Sequence, residues 1–139
     1  MGNSQSMQKI NFEDMQTAIK NPEIYLLINT LTELEQDCLI LNTVPASKEE
    51  TIINHHLYSS KRIRIVIYGR NSSDDKIYKK YDQLAKLGFS NVFIYVGGMF
   101  EWLMLQDIYG YEEFPTTIKQ LDFLKYKPPA RLNISLIEN

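Results

Sequence analysis

Cysteine is nearly absent: Cys38 is the only one in 139 residues. That excludes an internal disulfide and any zinc site built from several thiolates, and it points to a reducing compartment inside the cell. Long apolar runs are also missing. No stretch reaches the roughly 20 consecutive apolar residues that a membrane helix requires, and the first ten residues are too polar for a secretory signal. Neither sign of charge dominates, with 15 Lys+Arg against 17 Asp+Glu and a formal net charge of -2. A nucleic-acid partner, which needs a wide basic field, is therefore not expected. What is present is an ordinary globular composition, 44% hydrophobic, 12% aromatic and 23% charged, enough to bury one core and too little for two.

The two ends carry short signals of their own. Met1-Gly2-Asn3-Ser4-Gln5-Ser6 matches the acceptor pattern for N-myristoylation at Gly2, with Ser6 at the serine/threonine position. One myristoyl chain gives marginal, reversible membrane binding, and Lys9 alone supplies no polybasic second signal. The alternative is a loose, unmodified start. Near the other end, Lys127-Pro128-Pro129-Ala130 stops whatever helix precedes it. Leu132, Ile134 and Leu136 alternate with polar residues, as in an edge strand or a docked tail. Asn133-Ile134-Ser135 is a formal glycosylation sequon, idle in a cytosolic protein.

Between the ends, apolar strands alternate with amphipathic helices. Asn11 caps a helix starting at Phe12, with Phe12, Met15 and Ile19 on one face, ending by Asn21-Pro22. Ile24–Ile28 is apolar at consecutive positions, which suits a strand covered on both sides. Cys38–Leu41 is a second strand candidate, and Ser47-Lys48-Glu49-Glu50 has capping-box spacing for a helix through about Leu57. Arg64–Tyr68 is the strongest strand signal and empties into the polar run Gly69–Asp75. In the helix that follows, Ile77, Tyr81, Leu84 and Ala85 share a face and Gly88 marks a left-handed stop. Val92–Val96 then leads through Gly97-Gly98 into an apolar helix from Met99 to about Asp107. Such alternation predicts an α/β fold whose functional surface lies beyond the carboxyl ends of the strands, at the loops starting at Gly69 and Gly97.

Three features then resemble a rhodanese-like domain, from about Ile10 to Trp102. Leu27-Ile28-Asn29 is similar to the family's first strand ending, and Ile65-Val66-Ile67-Tyr68 to the strand that delivers the active-site loop. Gly88-Phe89-Ser90-Asn91-Val92, with Gly97-Gly98 and Trp102, is similar to the closing strand, glycine pair and tryptophan. The resemblance implies a three-layer domain, set at residues 10–127, with a central, mainly parallel sheet covered by helices on both faces; the end signals leave a flexible tail at 1–9, the one open to myristoylation, and a C-terminal tail at 128–139. It also implies an anion or persulfide cradle of backbone N–H groups after the central strand, opened by a cysteine. Counting from Tyr68 puts that cysteine's place at Gly69; counting back from Gly88 puts it at Asn71. Neither residue holds a transferred sulfur atom, so the expected site is a degenerate loop of Gly69, Arg70, Asn71, Ser72, Ser73 and Asp74 with no catalytic residue. Asn29 stands where the family usually has aspartate, and Leu31 where an arginine often follows, which removes part of the charged support.

Cys38 reads as a small buried hydrophobe. Ser72 and Ser73 lack a base nearby in sequence; His55 and His56 sit on an earlier helix, about 100° apart by the helical period, and face solvent. Ser72 or Ser73 as a helix cap, with Asp74 and Asp75 at the positive helix end, accounts for that segment; those carboxylates compete with a bound anion, and Arg70, which could offset them and recruit a small oxyanion, reads first as a solvated loop residue. Lys61, Arg62 and Arg64 form a solvated strand entrance. Tyr109–Pro115 docks back on the domain or presents Tyr109 and Phe114 to a protein partner. No metal or cofactor is expected. The reading is a non-catalytic binding or regulatory module, cytoplasmic or peripherally membrane-bound through Gly2. Its alternative is an enzyme, either a sulfurtransferase using Cys38 or an anion-binding hydrolase using the serine-rich loop.

Overall fold

Apolar residues at consecutive strand positions must find cover on both faces of a sheet, and the computed structural model, which describes residues 7–132, shows how they do. Five strands, β1 (Gln8–Ile10), β2 (Tyr25–Asn29), β3 (Thr43–Val44), β4 (Arg64–Tyr68) and β5 (Val92–Tyr95), form one sheet in the order β1-β5-β4-β2-β3. Every pairing is parallel. The crossovers are helices α1 (Phe12–Lys20), α2 (Ala46–Ser59) and α3 (Lys76–Lys86), and α4 (Gly98–Tyr109) follows β5.

Strand alternation sorts the core into two layers. Leu26, Ile28, Ile65, Ile67, Val92 and Ile94 point to the side of α2 and α3, where Ile53, Ile77 and Leu84 meet them. Leu27, Val66, Tyr68 and Tyr95 point the other way, against Met15 of α1 and Met99 and Trp102 of α4. Trp102 is fully buried, lies edge-on to Tyr95 and Phe114, and donates its indole N–H to Pro115 O at 3.1 Å. The expected α/β architecture is thus the observed one.

Several local expectations change. α1 starts and stops where expected, with Asn11 and Asp14 forming a reciprocal capping box. Cys38–Leu41 is no strand: Cys38, Leu39 and Ile40 are buried, Leu41 turns outward, and the one antiparallel bridge runs from Ile40 to Thr116, because the partner is the later segment and not the sheet. The strand there is Thr43–Val44. Ser47 lies inside α2 rather than capping it; Pro45 precedes the helix, and the first amide, Ala46 N, donates to Gln36 Oε1 at 2.9 Å. Ala85 is exposed, whereas Ile77 and Leu84 are buried. β1 begins inside the stretch assigned to the N-terminal tail. Its pairing with β5 came from tertiary neighbours and not from a three-residue pattern. Gly2, Asn133, Ile134 and Leu136 lie outside the described residues, while Leu132 is exposed.

Candidate functional site

Parallel crossovers bring the ends of β2, β4 and β5 to one rim, and the segment Gly69–Asp75 runs across it from β4 into α3. The first turn of α4 grips this loop: Met99 N donates to Gly69 O at 3.0 Å and Phe100 N to Arg70 O at 2.8 Å. That approach is possible because residue 98 is glycine. Its φ is +67°, and a Cβ there would stand 2.6 Å from Gly69 O and 2.9 Å from Asn71 N.

Inside the loop, the amides of Arg70, Ser73, Asp74 and Lys76 are satisfied by the chain's own acceptors. Asp74 Oδ2 accepts from Arg70 N at 3.0 Å and from Thr30 Oγ1 at 3.2 Å, and Asp74 Oδ1 accepts from Lys76 N at 3.0 Å. Asn71, buried, accepts from Ser73 N at 2.9 Å through its side chain and from Asp74 N at 3.1 Å through its carbonyl. The Asp74 carboxylate fills the space into which a side chain at residue 69 would project. A Cβ on Gly69 would lie 2.8 Å from the Asp74 carboxyl carbon and 2.8 Å from Thr30 Oγ1. The helix-capping role expected of Ser72 or Ser73 therefore passes to Asp74; both serines are exposed, and α3 begins after Asp75 without a side-chain cap from it.

Arg70 is engaged rather than free. Its guanidinium pairs with Glu35, donates to the carbonyl of Lys125, and lies 5.7 Å from the Tyr126 ring centre. Asn71 Nδ2 donates to Tyr126 O at 2.8 Å. A 3-10 turn, Phe123–Tyr126, thus closes over the loop from α4's side, leaving an open cavity of about 390 Å³ edged by Arg70, Ser73, Asp74, Lys127 and Pro129. Sequence reasoning missed Thr30, Glu35 and Tyr126, whose contacts cross 44, 35 and 55 positions of chain.

Cys38 is fully buried on the α1/α4 side, and its Sγ donates to Ile118 O at 3.6 Å. Burial, with Asp37 nearby, pushes the thiol above its ordinary range. It does not line the loop cavity. Asn29, also buried, exchanges amide hydrogen bonds with Gln36 (2.8 and 3.2 Å), donates to Val44 O and accepts from Leu31 N. His55 and His56 sit in the last turns of α2, which runs back from the rim, so neither serves Ser72 or Ser73 as a base; their rings meet edge to face at 5.2 Å, and burial with His55 beside it lowers the pKa of His56. Arg64 rests on Tyr25 at the strand entrance, far from the loop in the sheet. Phe114 is buried, as docking back requires, and Tyr109 stays exposed. Among the described residues, no group of three or more His, Cys, Asp or Glu is arranged to hold a metal, and no helix is long and apolar enough to cross a membrane.

Comparison with known proteins agrees with this architecture. The family model described as Rhodanese-like domain matches residues 23–105. Among solved structures, the chain is similar to the yeast Saccharomyces cerevisiae single-domain sulfurtransferase RDL2, with 14% identity and a TM-score of 0.56 over 74% of this chain and 94% of that one. It is also similar to the BH2092 protein of Bacillus halodurans, with 22% identity and a TM-score of 0.57 over 74% of each chain. The Alr3790 protein of Anabaena sp. gives 16% identity and a TM-score of 0.55 over 84% of this chain and 86% of that one. The search of curated proteins finds no match.

Proposed function

The chain belongs to the rhodanese-like domain family, and from that membership we propose that it is a non-catalytic member: a binding or regulatory module that works inside the cell, tethered reversibly to a membrane through a lipid on Gly2. One observation carries the non-catalytic reading. The space beside Gly69, where a nucleophile after the central strand would project, is filled by the Asp74 carboxylate. A fixed negative charge there repels the anion that such a cradle would stabilise, and it already accepts from Arg70 N and Lys76 N. Cys38 supports the same reading, because a thiol buried in an apolar layer with a raised pKa is a poor nucleophile.

A thiosulfate-to-cyanide sulfur-transfer assay tests it. We expect no turnover above the uncatalysed rate from the wild-type protein; robust turnover abolished by Cys38→Ala would overturn the reading. The tether has a separate test. Co-expression with an N-myristoyltransferase is expected to add one myristoyl mass that Gly2→Ala removes, and an unmodified intact mass would eliminate the lipid.

A further inference from the structure

We propose that the segment Asp122–Pro129 is a tethered pseudo-ligand, a strap seated on the Gly69–Asp75 loop in the manner of a bound peptide, and that an aromatic-bearing peptide of a partner protein replaces it. This rests on the loop being a binding surface rather than a reactive one.

The strap meets the loop as a peptide ligand would. Two successive main-chain carbonyls, of Lys125 and Tyr126, accept from the side chains of Arg70 and Asn71. Such contacts read backbone and tolerate any sequence. Selectivity comes from a single anchor: the Tyr126 side chain is fully buried, while Phe123 is half-buried and Leu121, Leu124, Lys125 and Lys127 are exposed. Buried aromatics ringed by weaker contacts are the usual energetic centre of a peptide interface. Both receiving residues are held independently of the strap, Arg70 by Glu35 and Asn71 by its bond from Ser73 N, so the receptor persists when the occupant leaves.

The fit is also imperfect in a way that favours exchange. The Tyr126 hydroxyl is buried with no hydrogen-bond partner, an unmade bond that penalises the closed strap. An occupant presenting phenylalanine at that position escapes the penalty. The charge pattern agrees with a peptide whose anchor is flanked by cations, since the strap places Lys125 and Lys127 on either side of Tyr126, while the receiving loop contains Asp74 and Asp75, which line one cavity with Lys127, and has Glu35 beside it.

Cys38 provides a built-in reporter, because the chain that enters the strap covers it: its thiol donates to Ile118 O, and Thr116 and Tyr126 are its neighbours. The experiment measures native-state alkylation of Cys38 in full-length wild type, Tyr126→Ala and Arg70→Ala, with circular dichroism to verify folding. A synthetic peptide of Asp122–Pro129 carrying the Y126F change is then added. Alkylation is expected to accelerate at least about tenfold in Tyr126→Ala, a factor equal to about 1.4 kcal/mol of strap opening, and the peptide is expected to slow it again. The same peptide without the change is expected to protect more weakly. Should Tyr126→Ala fail to fold, Arg70→Ala, which removes the latch to Lys125 O together with the pair to Glu35 and leaves the Tyr126 anchor in place, carries the test. Unchanged alkylation in the folded variants, or a peptide that gives no protection, overturns the proposal. Neither result bears on sulfur transfer, so this failure is distinguishable from a failure of the non-catalytic reading.

Discussion

At residue 69 the choice of glycine and the position of Asp74 form one device. A bare cysteine replacement is not expected to recreate a sulfur carrier, because the new side chain meets the Asp74 carboxyl carbon and Thr30 Oγ1 at 2.8 Å from its Cβ. Gly69→Cys is expected to yield no thiosulfate turnover and to cost about 1–3 kcal/mol in denaturant unfolding through overpacking. Its thiol should titrate above about 8.5, pushed up by the adjacent carboxylate, which a thiolate absorbance titration would show. Asn29 is a similar case of chemistry adapted to its neighbours. The amide pair with Gln36 and the bond to Val44 O need a donor, which an aspartate lacks. That both anchors disagreed over the cysteine's place, Gly69 or Asn71, was visible in the sequence; that Asp74 occupies the vacant space was not, since nothing in a Ser-Ser-Asp-Asp run says which way one carboxylate turns.

Among the elements, the junction of α4 with the loop matters most. Gly97-Gly98 was legible as a tight turn after a strand, yet the purpose of the second glycine emerges only where the loop backbone passes against it. Gly98→Ala combines a left-handed φ of +67° with a Cβ 2.6 Å from Gly69 O. The strain alone costs about 1–2 kcal/mol, so with the clash a loss above about 2 kcal/mol is expected from urea unfolding. A variant as stable as wild type would show that the α4–loop contact is slack. The helices α1 and α3 were readable from an apolar stripe at helical spacing, and α4 and the strands β2, β4 and β5 from continuous apolar runs bounded by turn residues. β1 and β3 were not, being three and two residues long. Cys38–Leu41 read as a strand for the same reason in reverse: burial of Cys38, Leu39 and Ile40 makes a turn as apolar as a strand.

Taken whole, the molecule buries several groups that ionise only at alkaline pH. Burial raises the phenol pKa of Tyr68, of Tyr95 (reinforced by Glu101) and of Tyr126, and it raises the Cys38 thiol. Because each folded pKa exceeds its unfolded one, the unfolded chain loses these protons first, and the stability they confer is complete below the unfolded values and lost as pH rises past them. Unfolding free energy is therefore expected to hold level from neutrality to about pH 8.5 and to fall more steeply beyond about pH 10, by up to about 1.4 kcal/mol per pH unit for each tyrosine involved. Urea midpoints measured across that range check it; a level profile to about pH 11 would contradict the burial of these phenols. The α/β class, the order of the longer elements and the missing loop thiol follow from residue types and local patterning, which are properties of neighbouring positions along the chain. The occupied cradle, the engaged Arg70 and the strap were decided in three dimensions, because each joins residues 44, 35 or 55 positions apart and no local pattern encodes a meeting at that separation.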